Sequence, residues 1–176
     1  MTEAAGAIAP DDKDWTWVLE RPCPECGFDA RSIDVTEVGD LIRTNASAWQ
    51  RVLAAPDAGH RPSPDRWSPL EYACHVRDVF RLFAERLDLM LTQDGPHYAN
   101  WDQDATAVED DYASQSPVAV AVELTRAGAA LADRFDAVEG DQWQRTGYRS
   151  DGAEFTVDTF ARYFMHDPVH HIWDVR

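Results

Sequence analysis

The sequence predicts an all-α protein: a four-helix bundle preceded by an N-terminal arm. Three observations favour this fold. Apolar residues recur at steps of three and four in four separate segments after residue 34. Connections rich in Pro, Gly and Asp separate those segments, and one of them, 94–116, is long enough to cross the bundle. No stretch of the chain alternates apolar and polar residues as strands do. We therefore assign 34–176 to the bundle and 1–33 to the arm.

The first two helices have recognisable starts. Asp34 and Glu37 are predicted to cap the first helix, which ends before a loop that begins at residue 56. The second helix has the clearest start in the chain, with Ser68 as N-cap and Pro69 at the first helical position. Glu71 stands where it can close a capping box with Ser68. The second helix is therefore the most secure element of the prediction.

The third and fourth helices also have predicted starting residues. Ser116 and a following proline begin the third helix, and Gly140 is expected to stop it. A linker over 140–155 leads to the fourth helix, which starts at about Thr156.

The long connection 94–116 is unusual in composition. It holds six acidic residues and no Lys or Arg. The acids are Asp94, Asp102, Asp104, Glu109, Asp110 and Asp111. A loop longer than about 15 residues is usually either functional or disordered. The aromatic residues of this connection, Tyr98, Trp101 and Tyr112, favour a loop that docks on the bundle.

The charge balance excludes several functions. The chain has 16 Lys and Arg against 32 Asp and Glu, a formal net charge of −16. Nucleic acids and anionic membrane surfaces both require clustered cations, which the chain does not have. No apolar run approaches the ~18 residues that span a bilayer. Three cysteines and no secretory signal predict reduced thiols and a cytoplasmic location. A small-molecule enzyme or a partner-binding module remains.

Histidines concentrate in the fourth helix. His166 and His170 are four residues apart, as are Asp167 and His171, so either pair could chelate one ion. His75 in the second helix could complete a facial three-ligand site with open positions. A single helical histidine is more often a hydrogen-bonded structural residue, but this density favours a metal site.

These motifs resemble the DinB/YfiT-like metalloenzyme superfamily. The first stands as Trp67-Ser68-Pro69-Leu70-Glu71-Tyr72-Ala73-Cys74-His75, and the second as His166-Asp167-Pro168-Val169-His170-His171. That superfamily includes mycothiol-dependent maleylpyruvate isomerases and bacillithiol or mycothiol S-transferases. The resemblance implies an up-down-down-up bundle with its crossover between the second and third helices. It also implies a divalent ion, zinc or nickel, held by three side chains, of which His75 is the first.

The resemblance leaves two registers open for the other two ligands. A literal H-x-x-x-H selects His166 and His170, whereas the residues after His171 fit the family pattern better and would pair it with Asp167. Pro168 removes a helical hydrogen bond and is expected to kink the helix between the two pairs.

Cysteines in the arm form a C-P-x-C-G sequence that is typical of a zinc knuckle. Cys23 and Cys26 lack a second C-x-x-C, and structural zinc wants four ligands. The plainer interpretation is a reduced turn beside the aromatic arm, which packs through Trp15, Trp17 and Phe28. Alternatively, the arm reaches the open end of the bundle and brings both thiols near the metal.

The leading functional hypothesis is a metal-dependent transferase or isomerase that acts through a low-molecular-weight thiol. A bound ion would lower the pKa of the thiol, and Asp174 or Asp78 would orient the ligand imidazoles. The Arg-rich, Lys-poor composition suits a GC-rich genome, and an actinobacterial source would make mycothiol the natural thiol. The acidic connection favours a neutral electrophile as the small-molecule substrate.

Two alternatives come from other classes. One is a non-catalytic bundle that binds a ligand or partner, and the other is a metal-dependent hydrolase. A homodimer is the default expectation for the assembly.

Overall fold

The computed structural model describes residues 8–176. Its helices are α1 (Val38–Leu53), α2 (Pro69–Thr92), the short α3 (Gln103–Glu109), α4 (Pro117–Asp136) and α5 (Val157–Asp174). The four long helices form the predicted bundle, in which α4 packs along both α1 and α2, and α5 also contacts both. Within this described range no helix is both long and apolar enough to cross a bilayer.

Side-chain caps start three of the long helices, α2, α4 and α5, where the sequence predicted. The Ser68 hydroxyl accepts from the Glu71 backbone N–H, and the Glu71 carboxylate accepts from the Ser68 backbone N–H at 2.8 Å, so the predicted capping box is confirmed. Ser116 caps α4, and Thr156 forms a similar box with Thr159 at the start of α5. These local bonds satisfy amide groups that have no partner inside the helix.

Large side chains fill the space between the helices. The fully buried ones are Trp49, Tyr112, Phe80, Phe135, Phe160, Phe164, Ile42, Leu87, Met90, Leu124, Leu131 and Met165. Gly128 allows α4 to approach closely, because a Cβ there would lie 3.1 Å from Phe80 Cε2 and 3.3 Å from Ala46 Cβ. The bundle is therefore held by dense apolar packing of its four long helices.

A small sheet corrects the prediction of an all-α chain. The strands are β1 (His97–Tyr98), β2 (Thr146–Arg149) and β3 (Glu154–Thr156). Strand β2 lies in the centre, parallel to β1 and antiparallel to β3. Strands of two to four residues are too short to show alternation in sequence.

The segment 140–155, predicted as a linker, contributes to this sheet. That segment contains a 3₁₀ turn, Gly140–Gln144, and most of the β2–β3 hairpin. Its pairing with β1 is long-range, so no local pattern reveals it.

Boundaries elsewhere differ in smaller ways. Asp34 caps a 3₁₀ turn, Val35–Glu37, and α1 begins only at Val38. The connection 94–116 contains β1, α3 and a 3₁₀ turn, and its aromatic residues dock as predicted: Tyr98 is 8% exposed and Tyr112 is 1% exposed.

The described part of the arm lies against α5. Arg162 donates from Nη1 to the carbonyls of Ala30 and Ile33, both at 2.8 Å. Two of the predicted aromatic contacts are close, since the rings of Trp15 and Phe28 lie 5.2 Å and 5.7 Å from the His166 ring. This packing brings the cysteine turn to one side of α5.

Candidate metal centres

Helix α5 divides its four candidate ligands between two sites. Asp167 and His171 lie beside His75 of α2, whereas His166 and His170 lie beside the arm. Successive helical residues point about 100° apart, so the pair 166 and 170 lies on a different face of the helix from the pair 167 and 171. The sequence offered two registers as alternatives for one site. In the folded chain each pair belongs to a different cluster.

The first cluster, which we call the triad, consists of His75, Asp167 and His171. Asp167 Oδ2 lies 3.3 Å from His75 Nε2 and 3.6 Å from His171 Nε2. Two donors bound to one ion at 2.0–2.2 Å are about 2.9–3.4 Å apart. Shifts of a few tenths of an ångström would therefore bring all three donors to a common ion.

Neighbouring groups fix the orientation of the triad imidazoles. His171 Nδ1 lies 2.8 Å from the carboxylate oxygen Asp174 Oδ2, a contact in which Nδ1 donates and which points Nε2 toward the cluster. The His75 ring is fully buried, stacked on Trp101 at 5.4 Å and packed against Trp67 at 5.5 Å. Both rings are thus held toward Asp167.

The electrostatics of the triad favour a positive charge beside Asp167. Burial would raise the pKa of Asp167, but His75 and His171 outweigh it and hold that pKa well below its usual range. Burial would lower the pKa of His171, but the Asp167 and Asp174 carboxylates outweigh it and raise it to about 9. Without an ion, a proton supplies that positive charge.

Asp167 has a buried oxygen that a divalent ion at the triad could satisfy. Asp167 Oδ1 has no hydrogen-bond partner within residues 8–176. Buried polar atoms are rarely left unsatisfied without a reason. Two imidazoles and one carboxylate on a rigid helix pair are a donor set that first-row divalent ions accept.

A cavity of about 760 Å³ opens onto the triad. Asp167 and His171 form part of its wall, and no Ser, Thr or Cys lines it in the described part of the chain. Two of the six acids of the long connection, Asp102 and Asp104, reach the cavity. The arm adds three more, Asp11, Asp12 and Asp14. The cavity is acidic, although most of the acids of the connection lie elsewhere.

Two arginines in the cavity were missed by the sequence reasoning. Arg149 is neutralised by Asp151 at 2.8 Å and donates to the Tyr163 hydroxyl at 3.0 Å. Arg86 is 5% exposed, donates to the Ala99 carbonyl, and has no carboxylate partner among residues 8–176. A signal existed, because Arg86 falls on the apolar stripe of α2, three residues after Phe83.

Of the two acids expected to orient the imidazoles, only Asp174 lies beside a triad ligand. Asp78 instead accepts from the Tyr112 hydroxyl at 2.5 Å and pairs with Arg77. The expectation for Asp78 was wrong, because its position on α2 points it toward α4 and the long connection.

The second cluster, which we call the Cys2His2 cluster, consists of Cys23, Cys26, His166 and His170. Cys23 Sγ lies 3.6 Å from His170 Nδ1. Burial lowers the pKa of His166 to about 4, which keeps its imidazole neutral. The arm therefore does reach the bundle, but its thiols meet a different histidine pair from the triad.

Cys74 takes no part in either cluster. Its thiol is fully buried in the core, and burial raises its pKa to about 12. Cys74 is therefore a small core residue.

Fold and clusters together define a helical-bundle protein with histidine-rich sites suited to divalent ions. The chain belongs to the DinB superfamily, whose family model matches residues 40–175. The resemblance inferred from the two motifs is thereby confirmed. No curated protein matches the chain.

A solved structure shares the fold. YfiT from Bacillus subtilis, described as a probable metal-dependent hydrolase with an unusual four-helix bundle topology, superposes with a TM-score of 0.69 at 15% identity. The match covers 97% of this chain and 92% of YfiT. At this identity the likeness shows the fold.

Proposed function

We propose that this protein is a metal-dependent enzyme whose triad holds a divalent ion, zinc or nickel. We further propose that it is a transferase or isomerase that uses a low-molecular-weight thiol of the mycothiol type. The observation that carries the proposal is the cavity: it reaches Asp167 and His171 but offers no nucleophilic Ser, Thr or Cys of its own. A thiol from solution would then supply the attacking group.

The triad supplies three ligands and leaves one side toward the cavity. A divalent ion bound there would lower the pKa of a thiol or water at an open position. His171 keeps its Nε2 directed at the site through its contact with Asp174. Trp67 and Trp101 cover His75 and exclude water from it.

The cavity lining supports a hydroxyl-rich thiol and a neutral second substrate. Carboxylates such as Asp102 and Asp104 accept hydrogen bonds from sugar or inositol hydroxyls. The same carboxylates repel an anionic substrate. Arg86 and Lys13 are the two cavity cations, within the described range, that pair with no carboxylate, and the buried Arg86 would hold a single carbonyl or carboxylate of the bound thiol.

A metal-dependent hydrolase is the second candidate. The absence of Ser, Thr and Cys along the described cavity wall fits an activated water equally well. The fold it shares with YfiT, described as a probable metal-dependent hydrolase, supports this candidate. A homodimer, a cytoplasmic location and an actinobacterial source remain predictions.

The test compares thiol-dependent and thiol-independent turnover. Protein depleted of metal and reloaded with zinc or nickel is mixed with mycothiol and a neutral bimane electrophile, and conjugate formation is followed by fluorescence. The same preparations are assayed for ester hydrolysis without thiol. His75→Ala is expected to abolish turnover, whereas His60→Ala, at an exposed histidine outside both clusters, should match wild type.

Each outcome assigns a function. Conjugation that requires metal, mycothiol and His75 supports the transferase. Metal-dependent hydrolysis without thiol supports the hydrolase. A metal-loaded protein with neither activity would overturn both and favour the non-catalytic bundle.

A further inference from the structure

We propose that the Cys2His2 cluster is a second metal site, a structural zinc centre that fastens the N-terminal arm to α5. This site is separate from the triad and does not depend on the proposed enzymatic function. Four donors from two distant parts of the chain, Cys23, Cys26, His166 and His170, all lie within 4.8 Å of one another.

The distances suit tetrahedral zinc. With Zn–S of about 2.3 Å and Zn–N of about 2.0–2.1 Å, sulfur and nitrogen ligands are about 3.5 Å apart. Cys23 Sγ and His170 Nδ1 are 3.6 Å apart. Two thiolates and two imidazoles complete the coordination of zinc, so no position remains for a substrate. A closed site of this kind is structural.

The turn that carries the cysteines is shaped for chelation. The Cys23 backbone N–H donates to the Phe28 carbonyl at 2.8 Å, and the Gly27 N–H donates to the Cys23 carbonyl at 3.0 Å. Gly27 has φ +77°, a conformation that other residues rarely adopt. These bonds close a tight loop that presents both sulfurs on one side, toward α5.

The histidines show a need that zinc would satisfy. His166 is 4% exposed, and its Nε2 is buried with no hydrogen-bond partner in the described chain. His170 Nε2 lies 3.2 Å from Glu25 Oε2, so a proton on Nε2 would leave Nδ1 free to face Cys23. Glu25 belongs to the cysteine turn itself, so this turn supplies both two ligands and the group that orients a third.

Charge and packing complete the argument. Zinc with two thiolates is neutral overall, which suits a cluster covered by the ring of Trp15, 5.2 Å from the His166 ring and 5.6 Å from the His170 ring. The same arm carries Asp11, Asp12 and Asp14 to the cavity beside the triad. Zinc at the Cys2His2 cluster would therefore fix one wall of that cavity.

The experiment uses the full chain, purified under reducing conditions. Metal content is measured after dialysis against a weak chelator, and Co²⁺ replaces zinc so that thiolate ligation shows as a sulfur-to-cobalt charge-transfer band. Wild type is expected to show this band and to retain one zinc per chain. The band should persist in His75→Ala and in Cys74→Ala, which leave all four donors in place.

Loss of the thiols should remove both signals. In the double variant Cys23→Ser, Cys26→Ser the band and the zinc that survives the weak chelator should disappear, while the triad should still bind metal that is added back in titration. Limited proteolysis of wild type with and without a strong chelator provides a readout that needs no variant, because zinc removal should expose the arm before residue 34 to cleavage.

Two results would overturn the zinc centre at the Cys2His2 cluster. A cobalt complex of wild type without a charge-transfer band would overturn it, as would equal zinc retention in wild type and the double cysteine variant. If instead the triad is not a metal site, His75→Ala should leave activity or metal binding unchanged.

Discussion

Replacing Asn45 with alanine is expected to destabilise the contact between α1 and α5 at Pro168. Proline has no N–H, so α5 lacks one of its own hydrogen bonds at this point, yet the helix runs through it from Val157 to Asp174. Asn45 Nδ2 donates to the Pro168 carbonyl at 2.8 Å. Asn45 Oδ1 accepts from the Trp49 indole N–H at 3.1 Å. The Asn45 amide thus links two buried groups across the helix interface.

The expected loss in the free energy of unfolding follows from the buried groups that lose their partners in Asn45→Ala. Trp49 is fully buried and Asn45 is 7% exposed, so water cannot readily replace the lost amide. An unsatisfied buried donor costs about 1–3 kcal/mol, and loss of the bond to Pro168 adds about 1 kcal/mol. The total, about 2–4 kcal/mol, corresponds to a fall in Tm of roughly 5–15 °C for a chain of this size.

The assay is urea and thermal denaturation followed by circular dichroism, with a chelator present so that metal binding does not contribute. Asn100→Ala, at an exposed asparagine, is the matched control and should change the free energy of unfolding by less than about 0.5 kcal/mol. In a Trp49→Phe background, where no indole N–H remains, Asn45→Ala should cost distinctly less. An equal cost in both backgrounds, or a cost near that of Asn100→Ala, would refute the reasoning.

Two further predictions concern Asp174, which orients His171, and the buried carboxylate of Glu71. Asp174→Ala removes the acceptor that orients His171, so metal affinity at the triad should fall about 10–100-fold in competitive titration. His75→Ala defines the background of this measurement. An unchanged affinity would contradict the positioning role of Asp174. Burial opposes ionisation of Glu71, but Arg61 outweighs it and lowers the pKa of Glu71 below its ordinary value of 4.5. Ionised Glu71 therefore stabilises the fold above about pH 4.5, and this contribution is lost as the pH falls through the folded-state pKa. Glu71→Gln should be less stable than wild type at pH 7 and converge with it in acid, as measured by urea denaturation across pH; a constant difference would count against this account.

Helix starts were predictable because they depend on contacts within a few residues. Ser68 and Glu71 are three positions apart, and their reciprocal bonds form whatever lies elsewhere in the chain. The apolar stripes likewise reveal which face of each helix is buried. The β1–β2 pair was not predicted, because its paired residues, such as His97 and Tyr148, are far apart in sequence. The two strands are also too short to show an alternating pattern.

The candidate ligands were all identifiable from sequence, but their partners were not. His75, His166, Asp167, His170 and His171 stand out by residue type and spacing. A four-residue step shows that two side chains lie on one face of a helix, yet it does not show what that face meets.

By itself the sequence determined the family, the four long helices and the residues able to bind a metal. Only the tertiary structure decided that the candidate ligands divide between two clusters, that Cys23 meets His170, and that Arg86 enters the cavity. The physical reason is the rotation of α5 in the bundle. Packing against the other helices and the arm fixes that rotation, and no local hydrogen bond or periodicity encodes it.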